Sequence, residues 1–293
     1  MEFNTPILFI IFNRPATTRR VFDEIKKIKP KQFFIAADGP RLDNPEDTKN
    51  CQLTRDVVKD IDWSCEVKTL FRDKNLGCGP GPVTAINWFF DNVEEGIILE
   101  DDCLPDQSFF YFCQELLGRY RDNDRIMYIG GDNFQFGRKR GKGSYYFTDL
   151  IHTCWGWATW RRAWKYNNFE ILPREEQNHI WDIQWRSAII KNHGLFVLPN
   201  VNLVTNIGSG LLATHTKKMA RFLFVPVKKI EFPLTHPKIL EANRGASNYT
   251  SRFVFGPKIP KNKIIKFIEN LIKVILKKLN LFELIKKLYL KLI

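Results

Sequence analysis

Short unbroken apolar runs alternate with amphipathic stretches along the first hundred residues. Residues 6–12 form one such run, with the character of a strand buried on both faces. It stops at Asn13-Arg14-Pro15. Val21, Phe22, Ile25 and Ile28 then follow at helical spacings of three and four, closed by Pro30. Residues 33–37 read as a second buried strand, stopped by Asp38-Gly39-Pro40. Asn44 predicts a helix cap, with Pro45 at the first position and Glu46 and Asp47 in the first turn. Residues 67–71 make a third strand ending at Arg72. A glycine-rich loop over 75–81 leads into a helix bearing Val83, Ile86, Trp88 and Phe89. Residues 96–99 are a fourth strand, running straight into Glu100-Asp101-Asp102.

Four strand–helix alternations predict an α/β fold: a mostly parallel sheet with right-handed crossovers and helices on both faces. Ligands of such sheets sit beyond the carboxyl ends of the strands. Those ends are Asn13-Arg14, Asp38, Arg72 and the acidic triplet, so cations and carboxylates share one rim. The second half is less regular. Residues 126–131 read as a strand, 152–160 as an aromatic–glycine cluster, 181–190 as a helix and 202–216 as a loop rich in Asn, Gly and Ser. From Lys263 on, Ile264, Ile265, Ile268, Leu271, Ile272, Ile275 and Leu279 share one helical face, with Lys266, Lys273 and Lys277 on another. That pattern suits a helix lying in a membrane interface. Packing on the core or in a dimer is its alternative.

Composition narrows the class. At 44% hydrophobic and 14% aromatic over 293 residues, the chain can bury a sizeable core, which excludes wholesale disorder. Six cysteines without a CxxC pair exclude a disulfide scaffold and argue against a zinc ribbon. Each is expected to act as a small buried hydrophobe. The N-terminal apolar run is too short for a secretory signal and lacks a basic flank. No stretch has the roughly 18 uninterrupted apolar residues of a spanning helix. A reducing cytoplasmic setting is the expectation. The net charge of +13 suggests nucleic acid until it is located. Residues 258–293 hold ten lysines against Glu269 and Glu283, a net of +8, leaving +5 for the rest. No nucleic-acid module accompanies that remainder, so no nucleic-acid partner is expected.

The triplet is the main candidate for chemistry. Three successive carboxylates after a buried strand can be a solvated turn or a helix start, since a helical pattern opens at Pro105-Asp106. They also suit Mg²⁺ or Mn²⁺, which take one or two carboxylates and fill other positions with phosphate oxygens and water. Arg14 or Arg72 would add charge-assisted hydrogen bonds to a diphosphate. The glycine loop NLGCGPG has neither the Lys-Ser/Thr of a P-loop nor GxGxxG spacing, and reads as a tight turn before a helix. In CWGWATW, alternation predicts a strand whose Trp155 and Trp157 are core residues or sugar-stacking platforms. Asp132-Asn133 reads as a turn or a sugar contact. His215, after NIGSG, is a candidate metal ligand or a hydrogen-bonded loop histidine.

The order FNR, then AADG, then a strand ending in EDD before LPDQSFFYF, resembles glycosyltransferases of the GT-A (Rossmann-like) fold. It is most similar to the inverting N-acetylglucosaminyltransferase of N-glycan branching and to bacterial polysaccharide-assembly relatives. The similarity covers about 6–215. It implies Asp102 as the direct metal ligand, and Glu100 and Asp101 as contacts to the nucleoside or orienters of the metal site. It implies Arg14 near the diphosphate, with Phe12 and Asn13 beside it, and Asp38 on the base. Asp182 falls in the segment supplying the catalytic base. The family reads Trp-Asp-Asp-Trp where this chain reads Trp-Asp-Ile-Gln-Trp, so one extra residue separates the tryptophans. A helix-surface carboxylate, or a structural partner of Arg186, is the plainer reading of Asp182.

The resemblance and the element pattern together give a catalytic unit over 1–256, with a donor half of about 1–125 and an acceptor half of about 126–256; the basic amphipathic tail over 257–293 lies outside the resemblance. The resemblance implies an inverting, metal-dependent transferase using a nucleoside-diphosphate sugar, with UDP as the expected nucleotide. The acceptor would be a saccharide or lipid-linked saccharide at the inner membrane face, with the tail on anionic lipid. A membrane-tethering protein and a metal-dependent phosphohydrolase using the same triplet are the rival readings.

Overall fold

Odd and even positions of the first strand point to opposite faces of a sheet, and both faces are buried. The computed structural model describes residues 2–170, 180–208 and 225–255. In β1 (Ile7–Ile11), Ile7, Phe9 and Ile11 enter one hydrophobic core and Leu8 the other, as the period of two requires. The first core is covered by α1 (Pro15–Ile28), α2 (Pro45–Val57) and α4 (Gln107–Tyr120). The second is covered by α3 (Pro80–Asn92), α5 (Arg161–Trp164) and α6 (Trp181–Lys191).

Eight strands form the sheet. Four of them, β3 (Glu66–Phe71), β2 (Gln32–Ala37), β1 and β4 (Glu95–Glu100), lie side by side and parallel. The order continues through β8 (Trp157–Trp160), β6 (Ile126–Gly130), β9 (Leu195–Pro199) and β7 (Tyr145–Thr148). β8 is antiparallel to both its neighbours and β7 is antiparallel to β9. The sheet is therefore mostly parallel with helices on both faces, as expected. Both reversed strands belong to the less regular second half.

Local chemistry explains the element ends. Asn44 caps α2, its side chain accepting from Glu46 N at 3.2 Å, and Asp106 caps α4, accepting from Ser108 N at 2.8 Å. Several expectations need correction. β3 is an edge strand, so Val67 and Phe71 stay substantially exposed. The expected loop over 202–216 contains β10 (Val204–Asn206), which pairs antiparallel with β5 (Cys103–Pro105) directly after the acidic triplet. Asp47 does not merely complement a helix end. It is buried, and Arg41 Nε meets its Oδ2 at 2.6 Å. Cys51, Cys103, Cys113 and Cys154 are buried as expected, whereas Cys78 is exposed in the glycine loop and Cys65 is partly so. The tail over 257–293 lies outside the described residues. Among the described residues no helix is long and apolar enough to cross a membrane.

Candidate functional site

The carboxyl ends of β1, β2, β3 and β4 open into a cleft of about 740 Å³. Phe12 and Arg14 reach it from β1, Asp38 from β2, Arg72 from β3, and Glu100, Asp101 and Asp102 from β4. The facing wall comes from 152–155 and from the start of α6, with Asp182 and Arg186. Residues from both halves of the sequence thus meet across one opening.

On the strand side, Arg14 is clamped between two carboxylates. Its Nη1 lies 2.6 Å from Asp102 Oδ2 and its Nε lies 3.5 Å from Asp101 Oδ1. Asp101 also accepts from the Phe12 backbone N–H at 3.0 Å and is only 3% exposed. Burial works against the Arg14 charge, but Asp101, Asp102 and Glu100 together hold its pKa above the ordinary arginine range. Burial pushes the Asp101 carboxyl up to about 6, with Arg14 pulling the other way. Burial, then Asp102, Asp101 and Asp182, push Glu100 up to about 8. Negative charge is in excess here, so a further cation at the rim would be stabilised.

A third element closes over this pair. Ile207 N donates to the Asp102 carbonyl at 2.8 Å, and Gly208 N to Asn206 Oδ1 at 2.9 Å. A Cβ on Gly208 would run into Asp102 Oδ2 and stand 2.5 Å from Arg14 Nη1. Only glycine lets the backbone approach the ion pair so closely. Pairing of β10 with β5 places this contact, and sequence reasoning missed it. The NIGSG run was the available signal, but nothing local says what a glycine must approach.

On the facing wall, Arg186 ties two segments together. Its Nη1 donates to the Ile151 carbonyl at 3.0 Å and its Nε to the Asp182 carbonyl at 3.1 Å. Its Nη2 stands 3.9 Å from Asp182 Oδ2. The plainer reading of Asp182 is thus present, and the carboxylate faces the cleft as well. Behind this wall Asp132 is 2% exposed, accepts from the Thr153 hydroxyl at 2.5 Å, and is pushed up to about 7 by burial. Burial, then Arg186, lower the His152 pKa to about 4, so the ring facing the cleft is neutral.

The remaining expected site residues divide between the cleft and the core. Trp157 is 1% exposed and its ring stacks between Tyr128 at 5.3 Å and Trp181 at 5.8 Å. It is a core residue and cannot present a face to a sugar, because β8 lies between two strands and the ring points into the second core. Its neighbour Trp155 lines the cleft. Asn13 does not line the cleft. Its Nδ2 donates to Asp47 Oδ1 at 2.7 Å, behind the rim. Asp38 lines the cleft, yet both its oxygens are engaged: they accept from Gly39 N, Leu76 N, Gly77 N and Asn75 Nδ2 at 3.0–3.1 Å. It anchors the glycine loop. Asn133 makes a turn, its Oδ1 accepting from Gln135 N at 2.8 Å. Arg72 donates to the Thr84 hydroxyl at 2.6 Å at the cleft edge. His215 lies outside the described residues.

The donor set is one of oxygens. Among the described residues no group of three His, Cys, Asp or Glu side chains is placed to hold a metal ion alone. Six carboxylates (Asp38, Asp43, Glu100, Asp101, Asp102 and Asp182) nevertheless line the cleft against four arginines (Arg14, Arg41, Arg72 and Arg186). That surplus of hard donors fits a divalent cation completed by phosphate oxygens.

No family model matches the chain, and no curated protein matches its sequence. Solved structures similar to it include a mannosyltransferase from Pyrobaculum calidifontis in complex with GDP-Man and Mn²⁺, at 11% identity and TM-score 0.48. That match covers 71% of this chain and 59% of the mannosyltransferase, so the chain spans well under two thirds of its length. A UTP-bound UGPase from Acinetobacter baumannii is similar at 10% identity and TM-score 0.41, over 71% of this chain and 90% of that one. HddC from Yersinia pseudotuberculosis is similar at 10% identity and TM-score 0.36, over 66% and 89%. Similarities of this size decide nothing about chemistry, which rests on the cleft.

Proposed function

We propose that the chain is a glycosyltransferase that takes a sugar from a nucleoside diphosphate, with UDP as the expected nucleotide. The observation that carries this reading is the Arg14–Asp101–Asp102 cluster at the end of β4, faced across the cleft by the Asp182 carboxylate. The diphosphate lies against Arg14 and Arg72, whose guanidinium N–H groups donate to its oxygens. Asp102, with Glu100 beside it, would hold Mn²⁺ or Mg²⁺, which neutralises charge on the departing diphosphate. Asp38 sets the glycine loop against which the base rests. Asp182 takes the proton from the acceptor hydroxyl as that oxygen attacks the anomeric carbon. The bond from that carbon to the diphosphate oxygen breaks, the nucleoside diphosphate leaves, and the configuration inverts. Trp155 offers a ring to the acceptor, a saccharide or lipid-linked saccharide. The tail keeps the enzyme on the inner face of an anionic membrane.

A thermal-shift panel of nucleoside-diphosphate sugars, with and without Mn²⁺, tests the reading. Stabilisation by one nucleotide series, larger with metal, is expected. Indifference to every nucleotide in the presence of metal removes the proposal, and donor breakdown to free sugar with no acceptor requirement favours hydrolysis instead.

A further inference from the structure

A second cationic surface sits on the fold itself, away from the triplet. The connection between β6 and β7 carries Arg138, Lys139, Arg140 and Lys142, and no acid occurs anywhere in 133–148. Its partner is the end of the described chain: α7 (Arg244–Tyr249), followed by a π-helical turn over Thr250–Val254. That stretch adds Arg244 and Arg252, and 242–255 is again free of acids. Contacts join the two. Arg138 Nη1 donates to Tyr249 Oη at 2.8 Å, and its guanidinium lies 4.3 Å from the ring centre. The Arg140 guanidinium lies 5.6 Å from the same ring. Tyr249 in turn meets Phe253, with ring centres 5.5 Å apart, and Phe253 is 60% exposed. Arg138 and Arg140 thus stand over Tyr249, Arg252 stands 5.6 Å from the exposed Phe253 ring, and Lys139, Lys142 and Arg244 lie on the same two segments, with Asp149 on Ser247 as the acid at their edge.

The place of this patch matters. The chain leaves it at residue 256 to begin the lysine-rich amphipathic tail. On its other side, Ser251 Oγ is 3.1 Å from His152 Nε2, and the Phe255 ring stacks on His152 at 4.5 Å. His152 is a cleft residue on the wall that faces the triplet. One short segment thus joins tail, patch and cleft wall.

We infer that this patch is a docking surface for an anionic lipid bilayer, gripping the membrane from the fold while the tail grips it from outside. The chemistry supports a bilayer over other polyanions. Lysine and arginine near an anionic surface attract it over about a Debye length, and an exposed phenylalanine among them gains by entering the interface. A second anchor on the fold also restricts its rotation, so the wall joined to the patch through His152 is held toward the lipid. The surface extends the tail's proposed role and does not depend on the transfer reaction.

Vesicle sedimentation of the full chain provides the test, with neutral phosphatidylcholine vesicles and vesicles containing phosphatidylglycerol. Lys139→Gln with Lys142→Gln removes two exposed charges that anchor no described contact. Partitioning onto the anionic vesicles should fall about 25-fold, since each lysine near such a surface is worth roughly fivefold. Phe253→Ser should weaken it about tenfold even at high salt. The same charge loss on α1 and just beyond α2, Lys27→Gln with Lys59→Gln, should leave it within about twofold. Binding by the wild type that ignores both patch variants overturns the surface and leaves the tail as sole anchor. Failure of the wild type to bind any vesicle overturns both. Patch-sensitive binding to a short RNA without vesicle binding assigns the surface to nucleic acid and overturns the inference.

Discussion

The two walls of the cleft are built by different means. The triplet wall is a strand end. Glu100, Asp101 and Asp102 are consecutive, and the parallel neighbour β1 delivers Arg14 to the same rim. The facing wall is assembled from 152–155 and from α6, joined by Arg186. One wall is charged and held by ion pairs. The other presents a neutral histidine, a tryptophan and a single carboxylate with Arg186 beside it. A rim of strand ends can hold a charged group common to many substrates. A wall made of loop and helix can change without disturbing the sheet.

The largest effect that would sharpen this division is on turnover. Asp182→Asn should cut the rate of sugar transfer by about 10²–10⁴-fold, while isothermal titration shows nucleotide affinity within about threefold of wild type. A variant that instead loses nucleotide binding puts Asp182 on the donor side.

Stability separates the two tryptophans next. Trp157→Ala should cost about 3–5 kcal/mol in urea unfolding, as large truncations in a core do, whereas Trp155→Ala should cost about 1 kcal/mol and mainly weaken acceptor binding. Equal costs would show that the division between core and cleft is misplaced.

Gly208→Ala probes the lid over the charged wall. A methyl group would meet Asp102 and Arg14 well inside contact distance, and relieving such a clash costs about 1–3 kcal/mol. Nucleotide affinity should fall about tenfold or more, with acceptor binding untouched.

The smallest effect belongs to pH. His152 is held neutral in the fold, with its pKa lowered from 6.5 to about 4. Between those values the unfolded chain binds a proton that the fold does not, so stability drops as pH falls from 6.5 to 4. The ring is partly accessible and solvent screens it, which limits the effect to about 1–2 kcal/mol. His152→Gln should flatten the stability profile in that window. A variant whose profile runs parallel to wild type would show that the histidine is protonated in the fold.

Legibility in the sequence follows the same division. β1, β2 and β4 were readable because they are apolar runs buried on both faces, and Asn44 because a cap is a local hydrogen bond. The rim residues Arg14 and Asp102 followed from the strand ends alone. What was not readable depends on partners far along the chain. The alternation in CWGWATW announces a strand, but only its insertion between β4 and β6 buries Trp157 and leaves Trp155 at the cleft. Asp38 points at the rim, and only the fold shows its oxygens filled by the 75–77 loop. Gly208 is one glycine among several until β10 pairs with β5.

The central claim is that the Arg14–Asp102 rim receives a nucleoside diphosphate together with a divalent cation. Titration calorimetry of UDP into wild type and Asp102→Ala, each with Mn²⁺ and with EDTA, tests it most directly. Binding by the wild type should weaken at least about tenfold on chelation, and the variant should show no metal-dependent binding. Equal binding by both proteins, with or without metal, would contradict it.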